Sequence, residues 1–308
     1  MASRQLKSNS LLLLAAAIWG FAFVAQRIGM QFLGPFTFNA VRFALGALVL
    51  FPLTLVSRQS CIEPASSQTP SVSGKPAGGN LLVGSLLGSG VLAGLALFLG
   101  SSFQQIGIVY TTAGKAGFIT GLYVVFVPIL GLAWRQRTNR ATWLGAILAV
   151  AGLYLLSVKA ALRIERGDLL VLISAFFWAG HVQIIGWLSP RYNPFHLACV
   201  QFCTCSLLSL IAALVVETIS SGAILDAAIP IVYTGVMSVG VAYTLQVVAQ
   251  RRAHPSHAAI ILSLEAVFAA MGGWLILNEF LSLRALIGCC FMLGGMIVSQ
   301  LRWSPKRP

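Results

Sequence analysis

Ten apolar runs of about 20 residues follow one another along this chain of 308 residues. A helix needs a run of about that length to cross the hydrocarbon core of a bilayer. Hydrophobic residues make up 58% of the chain and charged residues only 9%, which is more apolar surface than a soluble domain could bury. The sequence therefore predicts an all-α polytopic membrane protein, with transmembrane helices at 9–29, 36–56, 81–108, 113–133, 142–158, 168–188, 196–216, 228–248, 257–277 and 285–301.

The net charge of +13 would suit a nucleic-acid-binding protein, but the cations stand in short clusters between apolar runs. A soluble binding face would gather them on one surface instead, so we expect no nucleic-acid partner. With the N-terminus in the cytoplasm, 13 of the 20 Lys and Arg residues fall on the inner side, 5 on the outer side and 2 within spans. Since Lys and Arg concentrate in cytoplasmic loops, both termini are predicted to be cytoplasmic.

The chain contains a diverged internal repeat. Trp19 and Trp178 are 159 positions apart, whereas Tyr123 and Glu265, further along, are 142 apart. One insertion in the first half explains the decrease. Each half holds five spans, an odd number, so the two copies must face opposite ways, and inverted repeats place a substrate site between them. The predicted repeats are residues 1–158, with a flexible cytoplasmic loop at 57–80 rich in Ser, Pro and Gly, and residues 159–308.

The apolar runs carry four motifs, namely Trp19 with Phe23, Pro35 through Arg42-Phe43, Thr111 to Gly121 with Pro128, and Leu264-Glu265 through Asn278-Glu279 to Gly288 and Gly295. With these motifs, over about residues 9 to 301, the chain resembles the EamA-type branch of the drug/metabolite transporter superfamily. The resemblance implies an inner-membrane carrier of small metabolites, often an exporter, with a central cavity between the halves. Ala266 stands where that family usually has proline, which leaves open whether the helix breaks there.

Glu265 is the only acid well inside a predicted span. Burying a carboxylate in hydrocarbon is costly, so the side chain should face a cavity or a partner. A buried carboxyl that exchanges a proton as its surroundings change would couple transport to protons. The alternative is a structural carboxylate held by hydroxyls and helix ends.

Two cations also lie within predicted spans. Lys115 stands near the outer end of its span, too far along the membrane axis to pair directly with Glu265. We expect it to line the outer vestibule, to reach Glu279, or to extend to the interface. Arg42 lies about two turns from the outer side and could bind a substrate carboxylate in a bidentate manner. It could equally fix Glu279 or the carbonyls at a helix end.

Neutral polar and aromatic side chains at lipid depth complete the predicted substrate pathway. The amides could hydrogen-bond a solute or hold helices together. The aromatics could stack against a ligand or serve only in packing and at the interface. These residues are Gln104, Gln201, Gln246, Trp19, Trp178, Tyr123 and Tyr243.

Neither a metal nor a nucleotide cofactor is expected. His254 and His257 form a His-x-x-His pair, but no carboxylate stands at metal-ligand spacing, so they are interpreted as interface residues. The phosphate-binding pattern Gly-x-x-x-x-Gly-Lys-[Ser/Thr] is absent from the sequence, so direct use of ATP is not predicted.

The sequence therefore predicts a secondary transporter, and not an enzyme, that moves a small amphipathic or amino-acid-like metabolite by alternating access. Efflux across a bacterial inner membrane is the expected direction, driven by substrate gradients or by protons. A non-transporting membrane helper and a membrane-embedded enzyme are the alternatives. Whether the chain forms a homodimer is left open.

Overall fold

The structure, a computed structural model, describes residues 2–57, 85–136, 138–157, 166–277 and 282–299. Every regular element in these ranges is a helix, which confirms the predicted all-α class. The first half contains α1 (Ala2–Gly29), α2 (Pro35–Val56), α3 (Leu86–Val109), α4 (Ala113–Gly121), α5 (Tyr123–Ala133) and α6 (Arg140–Ser157).

The second half repeats this order with one added short helix, α9, before the third span. Its third span changes in the middle from α-helix to an 11-residue π-helix, Tyr233–Tyr243, which we name the π segment. The remaining elements are α7 (Arg166–Leu188), α8 (Pro194–Val216), α9 (Ser221–Asp226), α10 (Ala228–Val232), α11 (Thr244–Gln250), α12 (Pro255–Leu262), α13 (Glu265–Leu277) and α14 (Leu283–Ser299).

Ten apolar helical spans are present, as predicted. Eight continuous stretches among the described residues are long and apolar enough to cross a bilayer, and α6 and α14 are apolar but shorter. The stretches α4–α5, α10–α11 and α12–α13 each count as one span, because each reads as a single apolar run of 21 to 23 residues. The predicted loop at 57–80 lies outside the described residues, apart from Ser57.

The packing of the helices is symmetric between the two halves. In the first half α3 packs against α7 and α8, and in the second half the equivalent span, α10 to α11 with the π segment, packs against α1 and α2. The helices α2 and α8 are equivalent and pack against each other, as do α6 and α14. Two five-helix repeats related by an approximate two-fold axis account for this pattern.

Glycine contacts between α6 and α14 show the same symmetry at the level of single residues. A Cβ atom on Gly145 would lie 2.6 Å from the carbonyl oxygen of Gly295, and one on Gly152 would lie 2.5 Å from that of Gly288. Gly145 and Gly288 are 143 positions apart, as are Gly152 and Gly295. The two contacts are therefore copies of each other, and both let the helix backbones approach closely.

The fourth span of each half is broken at the same repeat position. At Leu122 the Leu122 N–H donates to Ile119 O at 3.2 Å, and at Leu264 the Leu264 N–H donates to Ile261 O at 3.2 Å. Both are tight i to i−3 bonds in place of the α-helical pattern. The break at Leu264 thus forms although Ala266 stands where proline was expected, and the question left open by the sequence is answered.

Candidate functional site

A central cavity lies between the two halves and is lined by residues from both. The centre of a water molecule can occupy only about 40 Å³ of the cavity. A water needs about 10–15 Å³ of such space, so the cavity is narrow in this conformation. Eight of the ten predicted pathway residues line it: Trp19, Arg42, Gln104, Tyr123, Trp178, Tyr243, Gln246 and Glu265.

The helix breaks place two repeat-equivalent residues in the cavity wall. Tyr123 is the first residue of α5, directly after the break at Leu122, and Glu265 is the first residue of α13, directly after the break at Leu264. The amide groups of a first helical turn carry partial positive charge, which favours an anion there. Glu265 is 4% exposed, and Tyr123 is also 4% exposed.

Arg42 brings a cation to the same cavity. It lies on α2, is only 3% exposed, and packs its guanidinium carbon 5.0 Å from the ring centre of Phe43 and 5.5 Å from that of Phe38. The alternative partner considered for it, Glu279, lies outside the described residues. Within the described residues Arg42 forms no ion pair, and its Nε atom is buried without a hydrogen-bond partner.

Three aromatic side chains form one contiguous surface in the cavity. The rings of Trp19 and Tyr243 lie 4.6 Å apart between centres, and those of Trp178 and Tyr243 lie 6.0 Å apart and nearly parallel. The Trp19 indole N–H donates to Ser238 O at 3.2 Å. The indole nitrogen of Trp178 has no such partner within the described residues.

The three predicted glutamines divide into two groups. Gln104 and Gln246, which are repeat equivalents, both line the cavity, and the Gln104 amide donates to Thr120 Oγ1 at 3.2 Å. Gln201 does not line it. Its Oε1 lies 2.9 Å from the Nε2 atom of His181, and His181 in turn lines the cavity.

Lys115 also stands apart from the cavity lining. Its ammonium lies 2.9 Å from the Asp168 carboxylate, and Glu279, the partner considered for it, lies outside the described residues. Asp168 was not among the predicted site residues, because it stands at the start of its predicted span and not deep within it. As expected, Lys115 does not pair with Glu265.

Seven buried polar atoms of the cavity wall have no hydrogen-bond partner within the described residues. Buried polar groups are normally paired, because an unpaired one costs about 1–3 kcal/mol. Their concentration around one cavity, with members from both repeats, marks a place suited to a polar ligand. The atoms are Gln26 Oε1, Arg42 Nε, Tyr123 Oη, Trp178 Nε1, His181 Nδ1, Gln246 Oε1 and Glu265 Oε1.

Sequence reasoning missed several of these lining residues, in particular Gln26, His181 and Ser238. Gln26 and His181 are polar residues inside predicted spans, which is the signal that drew attention to the other glutamines. A small hydroxyl such as that of Ser238 carries no comparable signal, because serine occurs throughout apolar helices.

The two histidines at the start of α12 have structural contacts. His254 caps the helix, with its Nδ1 accepting the Ser256 N–H at 3.3 Å. His257 is buried, and its Nε2 lies 3.2 Å from Asn9 Oδ1. Within the described part of the chain, no group of three potential metal ligands occurs.

Two inverted repeats around a polar cavity at membrane depth define a class, the multi-pass membrane carriers. The chain matches the EamA-like transporter family over residues 6–158 and again over residues 165–300. It belongs to that family, and it is a membrane transporter of small molecules.

Individual relatives agree with this assignment. An uncharacterized transporter of Archaeoglobus fulgidus is 32% identical over 295 residues, covering 94% of this chain and 85% of the relative. YoaV, an uncharacterized transporter of Bacillus subtilis, is 20% identical over 297 residues, covering 94% and 95%. A solved crystal structure aligns with a TM-score of 0.72 at 16% identity, covering 95% of this chain and 96% of that one, and shows the similarity of the fold alone.

Proposed function

We propose that the chain is a secondary transporter that exports a small amphipathic metabolite of amino-acid type by alternating access. The observation that carries this proposal is the presence of a buried carboxyl, Glu265, and a buried guanidinium, Arg42, in the wall of one cavity. Charged groups at lipid depth are rare and usually mark a substrate or ion pathway.

The opposite charges of the cavity wall match the two charges of a zwitterion. A guanidinium binds a carboxylate with two parallel hydrogen bonds, so Arg42 would hold the substrate carboxylate. Glu265 would hold the substrate ammonium group, or would exchange a proton when the site is empty. The Trp19–Tyr243–Trp178 surface supplies an apolar and aromatic face for a side chain.

The remaining wall atoms support recognition of a polar solute. Gln246 and Gln26 each offer an unpaired amide oxygen, and the Trp178 indole offers an unpaired donor. These wall groups carry no net charge, and they can form hydrogen bonds with polar groups of a solute, such as a hydroxyl or an amine. A substrate that lacks polar groups would leave them unsatisfied, which disfavours purely apolar cargo.

The distribution of cations favours an orientation with both termini in the cytoplasm. We name the end of the bundle that holds the first turns of α1 the N-terminal face, and the other end the opposite face. Since Lys and Arg concentrate on the cytoplasmic side, the N-terminal face is proposed to be cytoplasmic and the membrane to be a bacterial inner membrane. Described cations of the N-terminal face are Lys7, Arg135, Arg140, Arg191, Arg251 and Arg252, against Arg27, Lys115, Arg166 and Arg284 at the opposite face.

The proposed repeat boundary lies between residues 158 and 159. It is supported by the symmetric packing of the helices, with α6 ending the first unit at Ser157 and α7 beginning the second at Arg166. Each repeat contributes one wall of the cavity, so neither repeat alone would form the site.

Flux in proteoliposomes tests the proposal. The purified chain would be reconstituted, loaded with a panel of radiolabelled amino acids, and assayed for efflux against protein-free vesicles. Matched compounds that lack the carboxylate or the amine, such as tyramine beside tyrosine, test the roles of the two charges. We expect flux of zwitterions and much weaker flux of either truncated compound. A correctly folded chain that moves no compound of the panel would contradict the proposal and favour the alternative of a non-transporting membrane helper.

A further inference from the structure

The opposite face is joined by a compact contact between the repeats. The Asp168 carboxylate on α7 accepts a hydrogen bond from Lys115 Nζ at 2.9 Å and another from Thr111 Oγ1 at 2.7 Å. One residue earlier, a Cβ atom on Gly167 would lie 2.7 Å from Gly107 O on α3. We name this contact, made by Gly167, Asp168, Gly107 and Lys115, the Asp168 lock. It joins the start of α7 in the second half to α3 and α4 in the first half.

The N-terminal face is joined by a second contact of the same construction. Asn9 Oδ1 on α1 lies 3.2 Å from His257 Nε2 on α12. One residue earlier, Ser8 Oγ donates a hydrogen bond to Ala249 O on α11 at 2.7 Å. We name this contact, made by Ser8, Asn9, Ala249 and His257, the Asn9 lock. It joins the start of α1 in the first half to α11 and α12 in the second half.

The two locks are copies of each other under the internal repeat. Each residue of the Asn9 lock stands at the repeat position of one residue of the Asp168 lock, with the same two offsets that relate the cavity residues. The equivalent pairs are Ser8 with Gly167 and Asn9 with Asp168 at 159 positions, and Gly107 with Ala249 and Lys115 with His257 at 142 positions.

We propose that these two contacts are the gates of the carrier, and that the cavity opens at one face when the lock of that face separates while the other stays joined. The inference rests on the proposed alternating access. Each lock crosses from one repeat to the other, so a rocking of the repeats that opens one face must break it. In this structure both locks are joined, and the cavity between them has room for only a few water molecules.

The locks differ in chemistry although they agree in position. The Asp168 lock is an ion pair whose carboxylate is buried, whereas the Asn9 lock is made of an amide and an imidazole, with Ser299 Oγ 3.3 Å from the other ring nitrogen. Charge-assisted hydrogen bonds are roughly twice as strong as neutral ones. The Asp168 lock is therefore the harder to separate, and the resting carrier favours opening at the N-terminal face. An exporter would load there if that face is cytoplasmic.

Side-specific labelling of a cavity cysteine tests the locks without knowledge of the substrate. In a cysteine-free chain, Ser238→Cys places one thiol in the cavity wall. An impermeant maleimide added to one side or the other of sealed vesicles then reports which face is open. Two mirror-image variants, Asp168→Ala and Asn9→Ala, remove the equivalent residue from each lock. Asp226→Ala is the matched control, because Asp226 is an exposed acid of the opposite face outside the lock.

We expect Asp168→Ala to raise labelling from the opposite face about tenfold and Asn9→Ala to raise labelling from the N-terminal face about threefold, from the usual strengths of charged and neutral hydrogen bonds. Asp226→Ala should leave labelling from both faces unchanged. The double variant Asn9→Asp with His257→Lys installs the ion pair at the N-terminal face and should lower labelling from that side. It keeps the test available if one alanine variant does not fold.

The outcomes separate the locks from the carrier mechanism. One outcome is that the Ser238→Cys thiol of the chain with intact locks is labelled from both faces, and that the lock variants either act like Asp226→Ala or both shift labelling to the same face. This outcome would show that the locks are not the gates, and alternating access would stand. If instead the thiol is labelled from at most one face in every folded variant, the cavity does not alternate, and both the locks and the proposed mechanism are wrong.

Discussion

The two repeats supply the cavity with equivalent backbone positions but with different charges. At the helix breaks the first repeat presents Tyr123 and the second presents Glu265. On its second span the first repeat has Arg42, and at the equivalent position the second repeat has Gln201. Trp19 and Trp178, and likewise Gln104 and Gln246, have kept the same residue in both halves. The two repeats therefore share a symmetric scaffold but give the cavity different charges, and this difference is what the proposed binding of a zwitterion uses.

The largest expected effect comes from removing the charge that only the second repeat has. We expect Glu265→Gln to reduce flux at least about 30-fold, because it would remove the proposed pair between the Glu265 carboxylate and the substrate ammonium, and losing one partner of a buried charge pair costs about 2–5 kcal/mol. Tyr123→Phe, the matched change at the equivalent position, should reduce flux far less. Efflux from proteoliposomes, with membrane insertion checked by gel filtration in detergent, measures both. Unchanged flux of the Glu265→Gln chain at every pH would remove Glu265 from the substrate pathway.

The next effect comes from making the second spans of the two repeats alike. Arg42→Gln gives the first repeat the residue that the second has at position 201. We expect the affinity for carboxylate-bearing substrates to fall about 10- to 100-fold, the usual range for a charged hydrogen-bonding group. Substrate protection against heat unfolding measures the affinity. Arg42→Lys keeps the charge and loses the bidentate geometry. Its affinity should lie between that of the unchanged chain and that of Arg42→Gln. Equal affinities in all three chains would show that Arg42 has only a structural role.

A smaller effect is expected at the symmetric glycine contacts of α6 and α14. Gly295→Ala puts a methyl group against Gly145 O at 2.6 Å, so we expect a loss of about 1–3 kcal/mol of stability. The neighbouring Gly294→Ala meets no atom within 4 Å and should be neutral or slightly stabilising. Unfolding in detergent measures both. The copy of the contact, tested by Gly152→Ala, whose methyl group would lie 2.5 Å from Gly288 O, should give a loss like that of Gly295→Ala, and a large difference between the two would break the proposed symmetry.

The smallest effect concerns the helix caps at the start of the fourth spans. Thr112 caps α4 and its repeat equivalent His254 caps α12, each accepting a backbone N–H. Burial lowers the pKa of His254 below its ordinary value of 6.5, since desolvation disfavours the charged ring. The folded state prefers the neutral ring, so its contribution is complete above about pH 6.5 and is lost as the pH falls toward the lowered pKa.

We therefore expect His254→Thr, which copies the first repeat, to remove the pH dependence of this cap's contribution to stability, which amounts to about 0.5–1 kcal/mol, the usual value of a cap. Because Thr also caps a helix but does not titrate, unfolding midpoints of the two chains, measured from pH 8 to pH 5, would lie close together at the higher pH and separate at the lower one, where only the His254 cap is lost. A constant difference across that range would show that the cap does not titrate.

The apolar runs determined the class of fold by themselves, because ten segments of that length leave a chain no soluble alternative. The repeat offsets also determined which residues correspond, and the pairs Trp19 with Trp178 and Gln104 with Gln246 do meet in one cavity. Local pattern could not decide the partners of Lys115, Arg42 and His257. The apolar pattern of a membrane helix indicates how deep each residue lies in the membrane, but it does not indicate which neighbouring helix that residue faces.

The tertiary structure decided those partners by the rotation and crossing of the helices. It placed Asp168 beside Lys115 and Asn9 beside His257, although the two members of each pair are 53 and 248 positions apart. The offsets already related these two pairs to each other, but nothing in the sequence showed that either pair is in contact. It also broke α12 from α13 without a proline at position 266, because packing at the axis between repeats can impose a local geometry that no single residue encodes.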